Sequence, residues 1–183
     1  YLLPDDDRIG EIVAERARVR LRRCPDFIGE GGAIETDGEG TVITTRQCLL
    51  NPNRNPGLSE REIEGVLKSA VGAEKVIWLD EGLTGDHTDG HVDNLARFIA
   101  PGRVVCMRPC GDDDPNAEVL RAIRDRLAGA TDVAGRRLEV IEIPSPGLAL
   151  LDGEPAPASH MNFYIANGSV IMPTYAALTR NEL

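Results

Sequence analysis

The sequence predicts an α/β domain assembled from a repeated strand-strand-helix-strand unit. Two observations predict it: three segments that each read as a β-hairpin, and the helix and strand patterns that follow the first two. The hairpins run from about Asp26 to Thr45 around Asp37-Gly38, from about Val92 to Met107 around Pro101-Gly102, and from about Met161 to Pro173 around Asn167-Gly168. Each places a tight polar turn between stretches rich in β-branched residues. The spacing from Gly38 to Gly102 is 64 residues and from Gly102 to Gly168 is 66. A near-constant period of this length marks a modular architecture, in which a unit that cannot cover its own apolar face stacks on its neighbours.

The elements follow in order. Asp5-Asp6-Asp7 can cap a helix over Arg8 to Arg22, with Ile9, Ile12, Val13, Ala17 and Val19 near helical spacing. After the first hairpin, Ser59-Glu60-Arg61-Glu62 has the form of a capping box, and Ile63, Val66, Leu67 and Val71 give the helix behind it an inward face. A strand over Lys75 to Leu79 closes the unit. After the second hairpin the order recurs: Pro115 opens a helix through Val119, Leu120, Ile123 and Leu127, and Arg137 to Ile143 reads as a strand. Ser145 to Ala158, with three prolines and two glycines, reads as a loop.

Composition narrows the function classes. Aromatics are only 4 % of the 183 residues while Val, Ile, Leu and Ala supply the apolar set, which suits alternating strands and helices. A formal charge of -10 repels phosphate backbones and anionic membrane surfaces and favours a cationic substrate, so neither nucleic acid nor membrane is expected as a partner. No apolar run approaches the roughly 20 residues needed to span a bilayer. Cys24, Cys48, Cys106 and Cys110 show no CxxC spacing, which speaks against a disulfide framework or structural zinc and points to a reducing, cytoplasmic setting.

The densest cluster of ionisable groups is Asp86-His87-Thr88-Asp89-Gly90-His91-Val92-Asp93-Asn94, between a strand and the start of the second hairpin. If Val92 enters the core as a strand begins, His91 and Asp93 share the opposite face, about 7 Å apart. A carboxylate there can accept paired hydrogen bonds from a planar guanidinium while an imidazole moves protons near neutral pH. His87 and His91 with Asp89 and Asp93 are also ordinary metal ligands, although Gly90 and the residues after it oppose the helix that a His-x3-His pair prefers. A solvated acidic turn is the third reading of the same residues. Glu30-Gly31-Gly32 marks either a bulge or a close approach of backbone or ligand. Asn51-Pro52-Asn53-Arg54-Asn55-Pro56 reads as a rigid structural loop whose turn chemistry is satisfied by its own residues.

Taken together, Glu30-Gly31-Gly32-Ala33-Ile34, Asp37-Gly38-Glu39-Gly40-Thr41, Cys48 to Pro56, Val76-Ile77-Trp78-Leu79, Thr88 to Asn94 and Met161 to Gly168 resemble, in the same order, the agmatine deiminase or bacterial-type peptidylarginine deiminase family. The resemblance covers roughly Asp5 to Pro173. It implies a pentein-type fold, a β/α propeller of five such units, with units here at about residues 24–80, 88–144 and 158–183, the last incomplete, in one partial domain over 1–183. It implies hydrolysis of agmatine to N-carbamoylputrescine and ammonia on a route to putrescine, without metal or organic cofactor, or the same chemistry on arginine or peptidyl-arginine. His91 becomes the general acid and base, Asp93 the group that holds the guanidinium nitrogens, and Glu30 the carboxylate that orients His91 and stabilises its charged form. The family's nucleophilic cysteine sits in a Gly-rich segment past the third hairpin. None of the four cysteines matches it, so the chain is expected to hold no nucleophile and to be inactive alone. A non-catalytic module that pairs with a partner or with a second copy through exposed hairpin edges stays open as well.

Overall fold

The structure is a computed structural model that describes residues 6–151 and 153–175. Helix α1 (Asp6–Ala17) ends where Arg18 takes a φ of +54°, short of the expected Arg22. Ile9, Ile12 and Val13 are exposed and Ala14 is buried instead. Apolar spacing fixes which residues share a helix face, not what covers that face. The acidic cap at Asp5-Asp6-Asp7 lies outside the residues whose side chains are described.

The first sheet has the order β1 (Glu35–Thr36), β2 (Thr41–Thr45), β3 (Lys75–Leu79). β1 and β2 form an antiparallel hairpin around Asp37-Gly38, where Asp37 Oδ1 accepts from the amides of Glu39 at 2.8 Å and Thr41 at 2.9 Å and Gly38 supplies a φ of +77°. The first strand is only two residues long, not the stretch from Asp26. Gly31–Ala33 forms a 3-10 turn in its place, because paired glycines have neither the side chains nor the backbone restriction that hold a strand. Directly after β2 comes a short helix, α2 (Arg46–Leu49).

Helix α3 (Glu60–Val71) carries the chain across so that β3 lies parallel to β2. Its capping box is formed: the Ser59 amide donates to Glu62 Oε2 at 2.8 Å, and the Glu62 amide to Ser59 Oγ at 3.4 Å. Ile63 and Leu67 are buried, but Val71, expected inward, is exposed in the last turn, where Gly72 at φ +74° already leads the chain away.

The second sheet has the same topology: β4 (Ala96–Ala100) antiparallel to β5 (Arg103–Arg108), and β6 (Glu139–Pro144) parallel to β5 after helix α4 (Ala117–Ala128). Leu120, Ile123 and Leu127 are buried on α4, which starts two residues after Pro115. The segment read as a loop holds a short hairpin, β7 (Ala149–Leu151) with β8 (Glu154–Ala156). Pro155 is compatible with it because a two-stranded sheet has only edge strands. A last hairpin pairs β9 (Tyr164–Ala166) with β10 (Ser169–Ile171) around Asn167-Gly168. Among the described residues no helix is long and apolar enough to cross a membrane.

One core joins the two sheets through Ile43, Leu79, Leu95, Val104 and Met107 and reaches Met161 before the last hairpin. A second core lies between the first sheet and α3, where Trp78 packs among Val42, Leu49, Ile63 and Leu67. A carboxylate fixes how the sheets meet: Glu35 of β1 accepts from Arg97 Nε at 2.7 Å and from the Phe98 amide at 2.8 Å, both on β4. Arg97 continues the link by donating to the Phe163 carbonyl at 2.9 Å. Burial pushes the Glu35 carboxyl above its ordinary range while Arg97 opposes it.

Glu35→Ala leaves a half-buried guanidinium and a buried amide without their carboxylate acceptor and should destabilise the chain by about 3 kcal/mol in urea denaturation. Ser59→Ala, which removes only a cap, should cost about 1 kcal/mol.

Candidate active site

Adjacent side chains on a strand point to opposite faces, and β2 uses this to hold two turns at once. Thr44 Oγ1 donates to the Ala33 carbonyl at 2.8 Å, at the end of the Glu30-Gly31-Gly32 turn. Thr45 Oγ1 donates to the Gly90 carbonyl at 2.7 Å, just before His91. Both threonines are fully buried, so these bonds are ones their hydroxyls must make.

The approach to His91 is shaped by its own residues. Asp86 Oδ1 accepts from the Thr88 amide at 2.9 Å and from Thr88 Oγ1 at 2.6 Å. Asp89 and Gly90 then take φ values of +58° and +82°. Such left-handed geometry suits Asp and Gly better than other residues. Gly90 packs against Gly82 so closely that a Cβ on Gly82 would overlap the Gly90 Cα.

His91 and Asp93 are not on a strand. Val92–Asn94 form a 3-10 turn, β4 starts only at Ala96, and Val92 is fully buried as the point that anchors the turn. After the left-handed Asp89 and Gly90 the chain enters this tight turn, which brings the two side chains to one side where strand alternation was expected to. Both face Gly32. A Cβ there would lie 2.7 Å from Asp93 Oδ2 and closer still to His91 Nδ1, so the paired glycines mark a close approach rather than a bulge.

Glu30 completes the group, with Oε1 3.9 Å from His91 Nε2. That is an ion-pair distance and not a hydrogen bond. Among the described residues His91 Nε2 and Asp93 Oδ1 are buried with no hydrogen-bond partner. Desolvation pushes the Asp93 carboxyl above its ordinary value of 3.8, with His91 and Arg97 pulling it back. The structure therefore brings together Glu30, His91 and Asp93. His87 is exposed and stands apart from any donor set. Among the described residues the set of His, Cys, Asp and Glu donors that could share an ion is Glu30, Cys48 and His91, within 4.8 Å of one another. Burial pushes the Cys48 thiol up to about 12, away from the thiolate that metal binding and nucleophilic attack both need.

The loop 51–56 does not satisfy its turn chemistry alone. Asn55, nearly fully buried, exchanges hydrogen bonds with both backbone groups of Ile28 and donates to the Leu49 carbonyl at 2.9 Å. Arg54 donates through Nε to Glu30 at 2.7 and 3.0 Å, through Nη1 to Asp89 at 2.7 Å, and through Nη2 to the Thr88 carbonyl at 2.9 Å. Sequence reading missed Arg54. The available signal was a basic residue placed among acidic loops, in a loop whose prolines and asparagines already explained it. Asn162, whose Nδ2 donates to Oδ1 of Asn94, the neighbour of Asp93, at 3.2 Å, was missed too.

The sequence pattern that defines the Porphyromonas-type peptidyl-arginine deiminase family matches residues 1–182 of the chain. The chain belongs to that family. It is 47 % identical over 149 residues, 81 % of its length, to a Legionella pneumophila protein provisionally named agmatine deiminase, of which it covers 43 %. It superposes with a TM-score of 0.91 and 37 % identity on the agmatine deiminase of Enterococcus faecalis, covering 96 % of itself and 53 % of that chain. A C. jejuni agmatine deiminase with a cysteine replaced by serine and substrate bound superposes at 0.83 with 30 % identity, covering 96 % and 51 %. The chain thus spans about half the length of the relatives it matches. Its α/β fold is of the pentein type, like these family members.

In this deiminase-family chain the two turn glycines carry different loads. Gly32→Ala should destabilise by about 2 kcal/mol, because its Cβ must push His91 and Asp93 aside. Gly31→Ala, with nothing within 4 Å of its Cβ, should stay within about 0.5 kcal/mol of the parent in the same denaturation assay.

Proposed function

We propose that the protein of which this chain forms part is a guanidine hydrolase that converts agmatine and water to N-carbamoylputrescine and ammonia in the cytoplasm, on a route to putrescine. The observation that carries this reading is that His91 Nε2 and Asp93 Oδ1 are buried without a hydrogen-bond partner among the described residues, on side chains whose other polar atoms, Nδ1 and Oδ2, press against Gly32. Such atoms are costly unless a ligand pairs them. A guanidinium offers five planar N–H donors and stays charged at any working pH. The chain's formal charge of -10 favours its approach.

In this reading Asp93 accepts from the guanidinium nitrogens and Glu30 orients His91. His91 gives a proton to the departing ammonia and later takes one from the attacking water. The carbon is attacked by a cysteine thiolate, which leaves a covalent thiouronium that water resolves. Cys48 and Cys106, both with thiols raised to about 12 by burial, are poor candidates for that thiolate. Because none of the four cysteines matches the Gly-rich segment that carries the family's nucleophile, we place the nucleophile outside residues 1–183 and expect the chain to be inactive alone, as one partial domain with units at about 24–80, 88–144 and 158–183. Agmatine is preferred over arginine or peptidyl-arginine because the similar proteins named above are agmatine deiminases. The family's own description favours the second substrate class.

The test is ammonia release by the full-length protein from agmatine, free arginine and an arginine peptide. Turnover should be fastest with agmatine, and His91→Ala should lower kcat by at least roughly a thousandfold. If chelators abolish activity while His91→Ala merely weakens metal retention, the site is a metal site and the reading fails. The pH dependence follows from Asp93. Its raised pKa keeps the carboxyl neutral below that value, so it cannot pair with the cation there and ionises only above it. KM for agmatine should therefore fall by about tenfold per unit as pH rises toward that pKa and then level off. A KM that stays flat or increases over that rise in pH contradicts the assignment of Asp93.

A further inference from the structure

Arg54 is 10 % exposed and belongs to none of the three groups assigned above. It comes from a loop that sequence alone gave a structural role, and it reaches both turns of the site. Its Nε spans both oxygens of Glu30. Its Nη1 meets Asp89 Oδ2, which also accepts from Asn53 Nδ2 at 2.8 Å. Its Nη2 meets the Thr88 carbonyl. One rigid fork therefore contacts the carboxylate that faces His91 and two consecutive residues of the turn that leads into His91.

The chemistry of this contact is geometric. Glu30 sits 3.9 Å from His91 Nε2 and is 39 % exposed, so its own surroundings leave it room to turn toward solvent. Asp89 holds a left-handed backbone, φ +58°, two residues before His91. A lysine in place of Arg54 would keep a positive charge but has no planar fork to hold both partners in a fixed relation. Asn53 and Arg54 also hold the Asp89 carboxyl below its ordinary range, which matches a fully ionised anchor.

Resting on the deiminase reading, we infer that Arg54 is a positioning residue, which sets the distance and angle between Glu30 and His91 without touching the substrate. Its loss should act on turnover more than on binding, since Asp93 holds the substrate from the other side.

The experiment uses the full-length protein and three variants. Arg54→Gln should lower kcat for agmatine by roughly 10- to 100-fold, with KM within about threefold of the parent. Arg54→Lys should regain thermal stability but not the lost kcat. Asp89→Asn keeps the left-handed turn and the Glu30 contact, so it folds if the others do not, and should lower kcat by a few-fold at unchanged KM. A kcat within twofold of the parent in Arg54→Gln or Asp89→Asn, or full rescue by Arg54→Lys, overturns the inference. So does a KM that rises in proportion to the fall in kcat. If the parent releases no ammonia from any guanidine, it is the deiminase reading that has failed. The imidazole 15N spectrum then decides on Arg54. Displaced His91 ring signals in Arg54→Gln, with those of His160 unmoved, support its positioning role, and unchanged His91 signals refute it.

Discussion

The structure depends on a gap that holds no side chain. The turn ending in Ala33 and the turn starting at His91 belong to different sheets, and at Gly32 they approach to within a methyl group of one another. That approach is possible only because Gly32 lacks a Cβ, and it brings His91 Nδ1 and Asp93 Oδ2 against one backbone position. Neither turn is rigid by propensity, since glycines stand within the first and Gly90 immediately before the second. Their rigidity comes from outside, from two buried threonine hydroxyls on one strand and from Arg54. Elementary β-geometry explains the threonines: consecutive residues look to opposite faces, so one strand reaches both turns.

The electrostatics follow from this arrangement. Taking Asp93 out of water disfavours its charged form, and His91 and Arg97 offset that only in part. Most protein carboxylates in such surroundings acquire a donor. Among the described residues Asp93 Oδ1 has none, and His91 Nε2 has none either. The same logic separates the site from Cys48, whose burial keeps it a neutral thiol even though it lies within 4.8 Å of both Glu30 and His91. A wide groove lined by Arg46, Gln47 and Asp86 lies nearby, but Glu30, His91 and Asp93 do not line it. The site is marked by unpaired polarity rather than by the depth of a cavity.

Much of this was legible in the sequence, for physical reasons that differ by element. The helices α3 and α4 were legible because 3.6-residue periodicity is local, as is the capping box of α3, and the turns at Asp37-Gly38, Pro101-Gly102 and Asn167-Gly168 because glycine there fills a left-handed position. Strand lengths were not: β1 shrinks to two residues because the glycines before it form a 3-10 turn. The face shared by His91 and Asp93 was foreseen, but through the wrong backbone, since periodicity of two cannot distinguish a strand from a tight turn after Asp-Gly. Arg54 was hidden because a long side chain acts 24 residues from Glu30 and 35 from Asp89. The exposed apolar face of α1 was hidden for the opposite reason, a local pattern whose tertiary partner the pattern does not name.

The most direct measurement is a crystal structure of the full-length protein with a slowly processed guanidine held at the site. The account predicts the guanidinium nitrogens within about 3 Å of Asp93 Oδ1, with His91 on the leaving-group side and Glu30 behind it. A guanidinium bound elsewhere, or an ion shared by Glu30, Cys48 and His91 in its place, would contradict it.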